Sequence, residues 1–401
     1  MKKILVFILT VILAFGCLSA CGTGAGPSGT DSSGASASGK ETSGTDVSGK
    51  ESYGTSASDS SEQKTEGRKI RIVATIFPEY DWVMNILGED AANAEVSLLL
   101  DKGVDMHSFQ PSAADILKIS GCDMFIYVGG VSDEWAGAVL KEAVNKDMAV
   151  VNLLELLGDA AKEEEIIDGM QDDDHAHGDG EGREDHAHGD GEGREESDDH
   201  PHGGGEGDEE NDDHAHGDSE GHEEYDEHVW LSLRNASILV RGISEALQKI
   251  DPEHAETYKK NTSAYLEKLE ALDKAFQETV SDSRVNTVLF GDRFPFRYLV
   301  DDYGLSYYAA FAGCSAETEA SFETITFLSK KVDELSLRAV LTIEGNDHRI
   351  AETIIQNTKN KDQKILTLDS LQSVTSKDAQ NGYTYLAAME KNLEVLREAL
   401  E

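Results

Sequence analysis

The chain has 401 residues, with 78 acidic against 35 basic side chains and a formal net charge of −43. That balance excludes a nucleic-acid binder, which would need a basic footprint, and four cysteines in this length exclude a disulfide scaffold. The acidity is uneven: residues 172–227 hold 25 Asp and Glu against only Arg183 and Arg194, and the remainder is a mildly acidic globular protein.

The first twenty residues read as a targeting segment. Lys2 and Lys3 open it, and the apolar stretch 4–15 is short for a membrane span. Leu18-Ser19-Ala20-Cys21 resembles the bacterial lipobox, in which the leader is cut before a cysteine that takes up lipid. Residues 21–67 follow as a Gly/Ser-rich tract, with Ser-Gly-Lys-Glu repeated at Ser38 and Ser48, a composition that suits a disordered tether. These features predict an extracytoplasmic protein held at a bacterial membrane by lipid on Cys21. Cys17 leaves with the leader, and Cys122 and Cys314 are expected as separate, buried thiols.

From residue 68 the texture becomes strand–helix alternation. Strands are predicted at 70–75, 94–100, 123–128 and 149–153, and helices at 79–87, 111–119 and 134–144, giving an N-terminal lobe over 68–157. Residues 158–227 are expected as an acidic, disordered loop, because they contain too little apolar surface to offset the entropy of ordering. Within it a histidine–acid cassette recurs at Asp174-His175-Ala176-His177, Asp185-His186-Ala187-His188, Asp199-His200-Pro201-His202 and Asp213-His214-Ala215-His216, and His222 closes the run. Nine of thirteen histidines lie here, beside carboxylates, a donor mixture that suits borderline divalent metals such as zinc.

Residues 228–284 carry helical apolar spacing in two segments, 237–250 and 254–280, broken at Asp251-Pro252; the second is long enough to cross a domain. A second alternating series fills 285–401: strands at 287–290, 307–311, 339–343 and 364–368, and helices at 296–303, 322–335, 349–359 and 383–400. The predicted fold is α/β: two Rossmann-like lobes with parallel sheets, joined by a long linking helix, with a cleft between the lobes.

Three short segments carry the chemistry. His107 lies in Asp105-Met106-His107-Ser108-Phe109-Gln110-Pro111, between a strand and a helix. His228 lies in Asp226-Glu227-His228-Val229-Trp230-Leu231, where the acidic run ends. Asp369 follows a strand in Leu366-Thr367-Leu368-Asp369. Taken singly, each has a plain structural explanation: a capping or surface histidine, one more member of the histidine run, and a helix cap.

Together they resemble the metal-specific solute-binding proteins of bacterial ABC importers, the zinc and manganese cluster, over residues 69–401. The resemblance implies a monomer that takes a divalent ion in the cleft and delivers it to a membrane permease. It implies His107, His228 and Asp369 as ligands, and Glu344 as a hydrogen-bonding orienter. The family's third ligand falls here on Arg293, whose guanidinium cannot ligate a cation. Three substitutes are open: Asp292 by a one-residue shift, Glu317 or Glu319 from a neighbouring loop, or water or a histidine of the acidic run. Zn2+ is favoured over Mn2+ by the imidazole-rich run. Two other readings are a zinc hydrolase, against which stands the lack of any nucleophile or His-Glu-x-x-His motif, and a surface zinc-buffering or adhesin-like lipoprotein in which the run is itself the functional part.

Overall fold

The computed structural model describes residues 68–171, 225–313, 315, 319–345 and 348–401. The leader, the tether with Cys21, the nine histidines of the acidic run, Cys314 and Glu317 lie outside the described residues.

The first lobe contains strands β1 (Ile70–Ala74), β2 (Ala94–Leu98), β3 (Met124–Tyr127) and β4 (Ala149–Asn152), all parallel, in the order β2-β1-β3-β4. Helices α1 (Phe77–Leu87), α2 (Ala113–Gly121), α3 (Glu134–Lys141) and α4 (Leu153–Leu157) connect and follow them. The second lobe repeats the plan: β5 (Thr287–Phe294), β6 (Ser306–Ala312), β7 (Ala339–Ile343) and β8 (Lys364–Leu368) run parallel in the order β6-β5-β7-β8. Its helices are α7 (Arg297–Tyr303), α8 (Phe322–Leu335), α9 (Arg349–Asn357), α10 (Ser376–Gln380) and α11 (Tyr385–Ala399), and α5 (Leu233–Ile250) and α6 (Ala255–Asp282) link the lobes. In each sheet the chain reverses its direction of strand addition next to the first strand, and ligands of such sheets collect beyond the strand carboxyl ends.

The 28 residues of α6 extend about 42 Å at the usual helical rise. Its buried positions Tyr258, Thr262, Tyr265, Leu269, Leu272 and Phe276 alternate by four and three, one continuous stripe. Helix α6 packs along α5, on α1 towards its start and on α7 and α11 towards its end. A single apolar core therefore runs from Phe125 and Trp82 through Tyr265 and Phe276 to Phe290 and Tyr385. A second cluster, with Leu289, Phe311, Leu328, Val340 and Ile354, belongs to the second lobe alone. Polar ties reinforce the joint: Asp81 of α1 accepts from the Tyr385 amide at 3.3 Å and from the Tyr265 hydroxyl at 3.4 Å. An apolar, hydrogen-bonded joint of this kind restrains lobe movement.

Among the boundaries that differ from expectation, three bear on the site. Strand β5 continues to Phe294, because Arg293 and Phe294 pair with Phe311 and Ala312 after a register shift at Phe290/Arg293. Residues 158–171, expected in the loop, form an ordered strap: the Lys162 amide donates to Tyr298 Oη at 2.9 Å, Arg297 holds Glu165 at 2.7 Å, and Gln171 bridges to Phe311. On the far side of the run, Tyr225 bridges antiparallel to Glu163. Asp226 and Glu227, also assigned to the loop, are buried.

Candidate metal centre

His107 and Asp369 follow strands β2 and β8, whereas His228 precedes α5 and Asp292 lies within β5. His107 sits in a short helical turn after β2, with Asp105 capping the turn by accepting the His107 amide at 3.1 Å. His228 stands where the chain leaves the acidic run and is fully buried. The two imidazoles meet across the cleft, Nε2 to Nε2 at 3.3 Å.

Both rings are oriented from behind by adjacent carboxylates. Asp226 Oδ1 lies 2.9 Å from His228 Nδ1 and accepts the His228 amide at the same distance. Glu227 Oε2 lies 3.4 Å from His107 Nδ1, where Ser132 Oγ is 2.8 Å away, and Glu227 Oε1 accepts the Ser132 amide at 2.8 Å. Burial raises the Glu227 carboxyl, but hydrogen bonds from His107 and Ser132 outweigh it and hold the group below its ordinary value. A carboxylate behind each ring is an acceptor for Nδ1–H, the tautomer that leaves the lone pair on Nε2. With both rings in that tautomer the two lone pairs, 3.3 Å apart, are placed to share one cation; with either ring in the other tautomer the contact is an N–H···N hydrogen bond. Two zinc–nitrogen bonds of about 2.0–2.1 Å at a tetrahedral angle place their nitrogens about 3.3–3.4 Å apart.

Two glycines permit this approach. At Gly130, with φ of +78°, a Cβ would lie 2.3 Å from Glu227 Oε1, and at Gly313 it would lie 3.0 Å from His228 Cε1 and 2.9 Å from Phe294 O. Neither glycine, nor Ser132, nor the role of Asp226 and Glu227, was read from sequence. The Gly129-Gly130 pair after β3 was the available signal for the first.

The remaining expected ligands are placed differently. Asp292 is buried; its Oδ1 accepts the Arg293 amide at 2.8 Å and its Oδ2 the Ile343 amide at 3.1 Å, bonds that tie β5 to β7. Glu319 is exposed, and its carbonyl lies 3.4 Å from Gln171 Nε2. Arg293 reaches across the cleft to Asp105, Nη1 to Oδ2 at 2.8 Å. Asp369 accepts the Leu371 amide at 2.9 Å and the Tyr383 hydroxyl. Its neighbour Ser370 donates from Oγ to Glu344 at 2.6 Å and accepts Trp230 Nε1 through its carbonyl at 2.9 Å, which joins the Asp369 and His228 segments. Burial, then the charge of Asp369, raises the Glu344 carboxyl. Among the described residues, no three His, Cys, Asp or Glu side chains converge closely enough to hold a metal together. The centre is a two-histidine half-site with carboxylates at its margin.

Residues 72–399 match the family model described as ZnuA, the periplasmic zinc-uptake complex component A. The chain belongs to this family. Among curated relatives, the zinc-binding lipoprotein AdcA of Streptococcus pneumoniae serotype 4 is 30% identical over 343 residues, covering 85% of this chain and 58% of its own length. The high-affinity zinc uptake system protein ZnuA of Bacillus subtilis is 25% identical over 344 residues, 86% of this chain and 91% of that protein. The chain thus spans little more than half the length of the streptococcal relatives that it matches. The zinc-bound ZnuA-like domain of Streptococcus pneumoniae AdcA superposes with a TM-score of 0.57 at 26% identity, covering 83% of this chain and 99% of that domain. The laminin-binding adhesin of Streptococcus agalactiae gives 0.60 at 21% identity, covering 83% of this chain and all of that one, and shows the fold alone. The two-lobed α/β architecture expected from sequence is the architecture of these proteins.

Proposed function

We propose that the protein captures zinc outside the cytoplasmic membrane and delivers it to an ABC importer. The observation that carries this reading is the pair of imidazole Nε2 atoms 3.3 Å apart, the spacing of two donors on one tetrahedral zinc, each ring backed by a carboxylate. Membership of a zinc-uptake family and the zinc-binding names of relatives support it. His107 and His228 hold the ion, and Asp369, released by Tyr383, is the carboxylate offered from the second lobe. Imidazole donors favour Zn2+ over Mn2+. Binding and release, with no covalent step, suffice for such a role.

The remaining parts of the reading rest on residues outside the described ones. Lipid on Cys21 anchors the protein, residues 21–67 hold it away from the bilayer, and the histidine–acid run collects zinc for the cleft. The stems of that run support the last point, because Gln171 and Tyr225 are both pinned to elements beside the His228 segment. Zinc titration by calorimetry tests the whole: the parent chain should show one tight site and several weak ones. Replacing His107 and His228 by alanine should abolish the tight site, whereas deleting 172–224 should remove only the weak ones. A tight site that survives loss of both imidazoles overturns the proposal.

A further inference from the structure

The Asp105–Arg293 ion pair lies beside the histidine pair. It joins a loop of the first lobe to the end of β5 in the second, and both side chains are only about a quarter exposed. Asp105 Oδ1, besides accepting the His107 amide, lies 3.9 Å from His107 Nε2, the metal-facing nitrogen. An oxygen and a nitrogen bound to one tetrahedral zinc are separated by about 3.3–3.4 Å, roughly half an ångström less than this distance. Its Oδ2 is meanwhile held by Arg293 Nη1 at 2.8 Å. Burial alone would raise the Asp105 carboxyl; His107 and Arg293 outweigh it and keep the group below its ordinary value.

We propose that Asp105 is a protein ligand of the bound ion and that Arg293 is its built-in competitor, a guanidinium that occupies the carboxylate until a divalent cation takes it over. This rests on the reading of the histidine pair as the zinc site. A permanently charged group cannot be displaced by losing a proton, so it must swing aside, and it remains close enough to repel the ion it has yielded to. Arg293 thereby sets the affinity low enough for release, without contact to the metal.

The test uses four full-length chains: the parent, Arg293→Gln, Asp105→Asn and the double variant, with zinc affinity read by competition against a fluorescent chelator. Cobalt(II) serves as the spectroscopic probe of the donor set. Asparagine can still accept the His107 amide, so the turn persists. Arg293→Gln should tighten zinc tenfold or more. Asp105→Asn should weaken it tenfold or more in either background, and should shift the cobalt d–d bands. Should Arg293→Gln loosen the fold, Arg293→Lys gives a second reading, with a smaller tightening because charge is kept while the fork geometry is lost.

Arg293→Gln or Arg293→Lys weakening zinc, or leaving it within twofold of the parent, overturns the competitor role. An unchanged cobalt spectrum and affinity for Asp105→Asn in the Arg293→Gln background overturns the ligand role. If the parent's tight zinc survives loss of both imidazoles, the histidine site itself fails, a result separable from the other two.

Discussion

Replacing Asp226 isolates the part of the site that orients His228. Its Oδ1 accepts two bonds of 2.9 Å, from the His228 amide and from Nδ1. Asparagine keeps an acceptor in the same place and loses only the charge, the difference between a charge-assisted and a neutral hydrogen bond. That difference is about 1 kcal/mol, or five- to tenfold in zinc affinity. Alanine removes both bonds and leaves a buried Nδ1 without its carboxylate, so the loss should reach the upper end of what such outer partners contribute, about 100-fold. The segment should stay in place in both variants, because the Tyr298 hydroxyl still donates to the main-chain carbonyl of residue 226, at 2.9 Å in the parent. The assay is chelator competition at a chelator strength that leaves weak sites empty, with far-UV circular dichroism as the control for folding. The predicted order of affinity is parent, then Asp226→Asn, then Asp226→Ala. If both variants bind within twofold of the parent, the carboxylate does not set the ring's donor state and the reasoning fails.

Other consequences can be checked with single substitutions. Gly313→Ala should push the His228 ring or the Phe294 carbonyl aside and weaken zinc several-fold with the fold retained. Gly137→Ala in α3, where a Cβ would meet nothing within 4 Å, should leave zinc binding alone and raise stability by about 0.5–1 kcal/mol in thermal melts. Glu79, fully buried, is pushed up to about 8 by burial and then by the charge of Asp133, while Asp133 is pushed up to about 7 by burial and, among charges, by Glu227. Folded pKa values above the unfolded ones mean that the native state holds extra protons between about pH 4.5 and 8. Stability should therefore fall as pH rises through that window, by up to about 1.4 kcal/mol per pH unit for each group. Glu79→Gln should flatten the slope in denaturant titrations at several pH values; an unaltered slope would contradict the assignment.

The fold was legible in the sequence because each strand and helix has its own period, and because strands alternate with helices in two separate series. What escaped reading depended on distant partners. Gly291-Asp292-Arg293 has the composition of a turn, yet it lies in β5 because β6 pairs with it beyond the bulge. The strap 158–171 is as acidic as a disordered segment and is ordered by Tyr298, Arg297 and the edge of β6. The same limit applied to the site. His107 and His228 stood out by their flanking residues, whereas Asp226 and Glu227 were hidden in a run of like charges. The two backbone amides that Asp292 accepts, one of them 51 residues away, likewise cannot be seen in a linear chain.

A crystal structure of the zinc-loaded protein, with anomalous scattering recorded at the zinc edge, tests the central claim most directly. The account predicts one strong peak between the lobes, about 2.0–2.1 Å from Nε2 of both His107 and His228, with each Nδ1 still turned to its carboxylate. A cleft without a peak there, or a zinc bound through Nδ1 or by only one of the two imidazoles, would contradict it.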